Sequence, residues 1–242
     1  MNSVQEGRVA LVTGAGSGIG AAVARKLAAQ GAQVVRADIT ATDGGVVVDV
    51  ADPRQVDELV AGLGRLDVVV HAAGVDDPRA KQRIADALEA GRPPEVTASL
   101  DAEAWRRVMS VNLDGTFHVL RAAVRAMVPR RAGTIVVVGS SSAFDAPAGY
   151  PHYAASKAGV HALAQAVAKE VIPFGVRINV VAPGPTDTGM AARTPAVLRQ
   201  AFAGLPYATP EQIADVAVFL AGEESANVAG AVVLANGGRF TV

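Results

Sequence analysis

Seven short β-branched runs alternate along this chain with alanine-rich, helix-favouring segments, and no other feature constrains the fold as much. The runs are "RVALVTG" (8–14), "AQVVRAD" (32–38), "GVVVDV" (45–50), "LDVVVHAAG" (66–74), "GTIVVVGS" (133–140), "VRINVVAPG" (176–184) and "AVVLANGG" (231–238). They are apolar throughout and lack the period-two alternation of a half-exposed sheet, which predicts parallel strands covered on both faces. Helices are expected between them, near 18–30, 53–63, 101–128, 152–172 and 210–221. The last, within "TPEQIADVAVFLAG", has Thr209 as N-cap, Pro210 in the first turn and Gly222 past the end. Unbroken strand–helix alternation implies one α/β domain over residues 1–242, built on a doubly wound parallel sheet.

One stretch departs from this rhythm. Residues 75–100, "VDDPRAKQRIADALEAGRPPEVTASL", form a polar insertion after the fourth strand, with "RAKQRIADALEAG" able to make a short helix before Pro93-Pro94. It reads as a surface elaboration; a role over a pocket or in a subunit contact is the alternative. Half of the 242 residues are hydrophobic and 19% are charged, which suits a buried core and argues against disorder. A net charge of −1 gives no footprint for nucleic acid or an anionic membrane. The absence of cysteine excludes disulfides, thiolate catalysis and cysteine-ligated metals. No signal-like N-terminus and no apolar run near membrane-spanning length appears, so a cytoplasmic protein is expected.

In "LVTGAGSGIGAAVARKLAAQGA", Gly14, Gly18 and Gly20 fall between the first strand and the first helix. Glycines there permit tight turns and close approach to a pyrophosphate, which would sit on free N–H groups at the helix N-terminus. Asp38 ends the second strand, 18 positions beyond Gly20. A carboxylate at that place accepts hydrogen bonds from ribose hydroxyls and repels a 2′-phosphate, favouring NAD over NADP. Arg36 is nearby as a possible phosphate partner, but it lies within the strand, and Ser17 gives the loop no basic group.

"GYPHYAASKAG" (149–159) holds two tyrosines three positions apart. Lys157 follows Tyr153 by four residues, the offset that shares a helix face, whereas Tyr150 has Ala154 there. "TGAGSGIG", "YAASK" and "NVVAPGPTDT", in this order, resemble the short-chain dehydrogenase/reductase family over essentially the whole chain. The resemblance implies a Rossmann-like fold and a catalytic set of Ser140, Tyr153, Lys157 and Asn112. Ser140 is selected from "GSSSA" because it stands thirteen residues before the tyrosine. It implies Tyr153 as acid/base, its pKa lowered by Lys157, with Ser140 on the substrate oxygen and Asn112 holding a relay water. Cofactor contacts are implied at Gly14, Ser17, Gly18, Ile19, Gly20, Asp38, Asp49, Val50, Ala72, Ala73, Gly74, Tyr153, Lys157, Pro183, Gly184 and Thr188. The usual "NNAG" is "HAAG" here, so His71 and Ala72 replace two asparagines.

Tyr150 reads as pocket wall or packing, and His71 as structural. His118, His152 and His161 lack metal-ligand spacing, so no metal site is expected, and the closeness of His152 to Tyr153 reads as chance. Residues 189–208 are the expected substrate lid, with Arg193 and Arg199 its only charges. With "SAFDAPAGY" it would form a largely hydrophobic pocket for an uncharged ketone or secondary alcohol. The alternative is an NADPH-dependent 3-oxoacyl reductase acting on carrier-protein thioesters. Against it stand Asp38 and, at the two basic positions expected to grip the carrier, Arg131 followed by Phe174. A catalytically silent NAD-binding sensor is less favoured, because the tyrosine and lysine are both kept. The resemblance also implies a homotetramer paired through the long helices and the C-terminal strand.

Overall fold

The computed structural model describes residues 5–201, 204 and 206–242. Its strands are β1 (Val9–Thr13), β2 (Gln33–Asp38), β3 (Val46–Val47), β4 (Val68–His71), β5 (Gly133–Val138), β6 (Val176–Pro183) and β7 (Val232–Ala235). They make one parallel sheet in the order β3-β2-β1-β4-β5-β6-β7. The helices are α1 (Gly18–Ala29), α2 (Pro53–Gly62), α3 (Pro78–Glu89), α4 (Ala102–Met109), α5 (Gly115–Met127), α6 (Ser142–Asp145), α7 (Pro151–Val171), α8 (Gly189–Ala192), α9 (Ala196–Ala201) and α10 (Pro210–Ala221). None is long and apolar enough to cross a membrane.

Successive strand residues point to opposite faces, and both faces are buried here. Leu11, Val69, Ile135, Val137, Ile178 and Val180 pack with α2, α5 and α7. Ala10, Val12, Val68, Val70, Val136 and Val181 pack with α1 and α10 on the other side. This two-sided cover is why the strands are continuously apolar. The strand order reverses between β1 and β4, and such a switch point leaves a crevice at the carboxyl ends of the strands.

Three features differ from the expected elements. The run 45–50 pairs only through Val46 and Val47, whose side chains are exposed. At this sheet edge the chain turns away, carrying Val48 and Val50 into the core. The helix expected over 101–128 is interrupted by a π-turn at Ser110–Asp114. Leu113 of this turn packs against Gly159 of α7, where a Cβ would meet it at 3.1 Å. Segment 75–100 does contain a helix, α3, capped by the Asp77 carboxylate accepting from the Arg79 N–H with Pro78 following. Of the expected lid, residues 202, 203 and 205 lie outside the described residues.

Candidate active site

The loop between β1 and α1 turns at Gly14, whose φ of 66° favours glycine. A Cβ on Gly14 would also meet the Ala72 carbonyl carbon at 2.7 Å, so the loop and the end of β4 touch backbone to backbone. Helix α1 then starts without a side-chain cap, leaving first-turn N–H groups available to an anion. Asp38 braces the loop: its Oδ2 accepts from the Gly16 N–H at 2.8 Å and its Oδ1 from Thr40. Arg36 is turned outward, donating to the Asp43 carbonyl. The carboxylate, not the guanidinium, therefore faces the place where an adenosine ribose would lie.

The candidate cofactor positions lie along one cleft of about 900 Å3, from Gly14, Ser17 and Asp38 to Gly184 and Thr188. Ser140, Tyr153 and Lys157 line its middle. Asn112 is the exception: it is fully buried beneath the wall. Its Oδ1 accepts from the Val75 N–H at 2.8 Å, and its Nδ2 donates to the Val75 carbonyl and to Ser156 Oγ. The amide thus ties the chain after β4 to α7, while the Asn112 carbonyl accepts from the Thr116 hydroxyl. Both Nδ2 hydrogens are thus committed, so this side chain has no hydrogen left for a water.

Tyr153 and Lys157 occupy successive turns of α7, with Nζ 6.0 Å from the tyrosine ring centroid. Nζ donates to the Val138 carbonyl at 3.0 Å. Ser140 lies beside the Tyr153 phenol and favours its ionised form, and Ser140 Oγ accepts from the Ser142 N–H. The expected lowering of the Tyr153 pKa by Lys157 is not what this arrangement gives. Burial dominates and pushes the phenol up to about 12, with Ser140 opposing it. Burial likewise brings Lys157 down to about 8. Each charged form is disfavoured because it would stand in a desolvated site.

The imidazoles nearby are structural. His71 Nδ1 lies 2.7 Å from Thr13 Oγ1, and burial followed by the charge of Lys157 lowers its pKa to about 3. His152 pairs with Asp77 across 3.2 Å and is fully buried, so it does not reach the cleft. Tyr150 packs edge-on against Tyr153, centroids 5.3 Å apart, and burial and Asp76 drive its pKa far above the ordinary value. Tyr150 is therefore wall rather than base.

The substrate end differs from the expected apolar pocket. Segment 75–100 is not a surface elaboration alone, because Asp76, Lys81 and Ile84 line the cleft. Lys81 pairs with the buried Asp76 at 2.5 Å and donates to the Met190 carbonyl and to Thr194 Oγ1. One cation therefore joins α3 to the segment after β6. Arg193 approaches Asp76 at 3.5 Å from outside, and Arg199 borders a separate shallow hollow with Asp187 and Tyr207. The sequence offered little signal for Lys81 because two of its partners, Met190 and Thr194, are more than a hundred residues away. Arg131 lies over the Phe174 ring at 5.8 Å and donates to the Pro173 carbonyl.

The chain is similar to known proteins over nearly its whole length. A family model described as short chain dehydrogenase matches residues 8–197. The chain is 32% identical to the 3-oxoacyl-[acyl-carrier-protein] reductase of Escherichia coli (strain K12), covering 98% of this chain and 99% of that protein. It is 36% identical to the cis-4-hydroxycyclohexanecarboxylate dehydrogenase of Sinomonas cyclohexanicum, covering 97% of each. A solved short chain dehydrogenase/reductase family protein superimposes with a TM-score of 0.81 at 33% identity, covering 99% of this chain and all of that one.

Proposed function

From the premise that this chain belongs to the short-chain dehydrogenase/reductase family, whose members are nicotinamide-dependent oxidoreductases, we propose an NAD-dependent dehydrogenase interconverting a secondary alcohol and a ketone. The observation that carries this reading is one cleft with Asp38 at its ribose end and the Ser140–Tyr153–Lys157 group in its middle. Gly14, Ser17, Gly18, Ile19 and Gly20 would hold the pyrophosphate. Asp49 and Val50 would face the adenine, and Pro183, Gly184 and Thr188 the nicotinamide. Ala72, Ala73 and Gly74 would supply the close backbone approach between them. The bound nicotinamide supplies the hydride acceptor or donor.

Tyr153 holds the proton at its phenol oxygen and passes it to or from the substrate oxygen. Ser140 Oγ orients that oxygen by a second hydrogen bond. Lys157, with Nζ 6.0 Å from the Tyr153 ring centroid, supplies the nearby positive charge that favours the phenolate against the burial opposing it. A water on the Asn112 carbonyl would link Lys157 to solvent. Segment 189–208 would act as a lid, with α3 as its counterpart across the substrate end.

Asp76 and Lys81 neutralise each other, and Ile84, Met190 and Leu198 supply apolar wall. An uncharged cyclic or aliphatic ketone suits this end; the relative named cis-4-hydroxycyclohexanecarboxylate dehydrogenase supports a cyclic secondary alcohol, one that also bears a carboxylate. Relatives named as 3-oxoacyl-carrier-protein reductases support a second reading, thioester reduction with NADPH. Following NADH and NADPH oxidation over plain ketones and a β-ketoacyl thioester separates the two. NADH-dependent ketone reduction is expected; NADPH-dependent thioester reduction would replace this reading with the second. Assembly as a homotetramer through α5, α7 and β7 is part of the proposal, supported by half-exposed β7 side chains and the exposed Phe117 of α5. Mass photometry showing monomer alone would remove it.

A further inference from the structure

Four consecutive backbone N–H groups lead from the end of β5 into α6, and each has a defined acceptor. Gly139 donates to the Val181 carbonyl at 2.7 Å and Ser141 to the Pro183 carbonyl at 2.8 Å. Ser142 donates to the Ser140 hydroxyl. Ser140 itself donates to a side chain of α7, His161 Nε2, at 3.3 Å. His161 lies one turn beyond Lys157 and two beyond Tyr153, so the three stand along one face of α7.

The imidazole is built into this place. His161 is 6% exposed, and its ring lies 5.2 Å from that of Phe144 in α6. It occupies the space a side chain at Gly139 would need, since a Cβ there would stand 2.2 Å from Nε2. Because a backbone N–H can only donate, Nε2 must accept, which puts the ring proton on Nδ1. A neutral ring is required, and burial followed by the charge of Lys157 takes His161 down to about 4.

We infer that His161 is a positioning residue for Ser140: its Nε2 fixes the Ser140 backbone and so sets the serine hydroxyl against Tyr153. One helix then places all three catalytic groups, Tyr153 and Lys157 directly and Ser140 through His161. An aliphatic residue at 161 leaves a buried N–H without an acceptor, and that group finds a partner only by moving. A glutamine restores an acceptor at nearly the distance of Nε2.

The kinetic arm of the test rests on the dehydrogenase reading; the spectroscopic arm does not. Ketone reduction by NADH is measured for the full-length protein, His161→Leu, His161→Gln, Ser140→Ala and Ser140→Ala/His161→Leu. Misplacing the serine lowers kcat about 10- to 100-fold in His161→Leu, with KM for NADH within about twofold of wild type. His161→Gln recovers most of the lost rate, and the double variant is no slower than Ser140→Ala. Equal damage by Leu and Gln, or a further loss in the double variant, overturns the inference.

Histidine-selective 15N spectra of the wild-type protein test the geometry independently, His161 being assigned by the signal missing from His161→Gln. A neutral Nδ1–H tautomer at pH 7 is expected; an Nε2–H tautomer refutes the inference. If His161→Leu does not fold, the spectra decide. If the wild-type protein turns over no ketone, the dehydrogenase reading fails while the spectra still judge the contact.

Discussion

Replacing Asp38 by Asn keeps the shape of the side chain and an acceptor for the Gly16 N–H, now 2.8 Å from Oδ2, but removes the charge. A 2′-phosphate on a ribose held by Asp38 would bring a second negative charge to about 5 Å from the carboxylate. Per unit charge the repulsion is about 0.8 kcal/mol in water and about 3 kcal/mol at an effective dielectric of 20. Asp38 is half-buried, between these limits, so the carboxylate would disfavour NADPH by roughly 4- to 150-fold. Asp38→Asn should therefore lower KM for NADPH by a factor in that range. It should raise KM for NADH less, by weakening charge-assisted bonds to the ribose. Initial rates with each cofactor at fixed ketone give the ratio, and added salt should weaken the wild-type discrimination because the charge is partly exposed. A wild-type protein that prefers NADPH, or a ratio unchanged in Asp38→Asn, would refute this account of cofactor choice.

Two further outcomes follow from other parts of the molecule. Lys81→Met removes the cation that joins α3 to Met190 and Thr194 and leaves Asp76 only the more distant Arg193. KM for the ketone should rise about 10-fold with KM for NADH unchanged, and trypsin should cut sooner after Arg193 and Arg199; unchanged KM and cleavage would refute a joined lid. Acid should destabilise the fold through His71, whose folded pKa of about 3 lies below the ordinary 6.5. Between those values the unfolded chain binds the extra proton, so the stability is fully present above about pH 6.5 and falls by up to about 1.4 kcal/mol per unit below it. Tm measured from pH 7 to 5 should drop, and less steeply in His71→Asn; a flat or rising profile contradicts the assignment.

The parallel sheet was legible because strands buried on both faces carry no polar alternation, as Val68–His71 and Gly133–Val138 show. The glycine turn, Asp38 and the Tyr153–Lys157 pair were legible because each depends on short spacings along one turn or one helix face. What escaped depends on contacts made across the fold. The π-turn at Asn112 is met by Val75 and Gly159 from distant segments, contacts that no local pattern records. Segment 75–100 looked polar enough for the surface, yet Lys81 spends its charge inward on Asp76. The direction of the Tyr153 shift was misjudged because spacing reveals the lysine but not the burial that outweighs it. His161 had a usable signal, a third polar residue at four-residue spacing after Tyr153 and Lys157, but its acceptor role needs the Ser140 backbone beside it.

The most direct test of the central claim is the single-turnover rate of NADH oxidation with a reducible ketone in the wild-type protein and in Tyr153→Phe. Removing one hydroxyl from a buried ring preserves the packing against Tyr150 and takes away the only proton that Tyr153 can give. The account predicts a rate about 100- to 10,000-fold lower in Tyr153→Phe, the usual worth of a positioned acid, with NADH affinity retained. Equal rates in the two proteins would mean that Tyr153 is not the acid/base and would contradict the account.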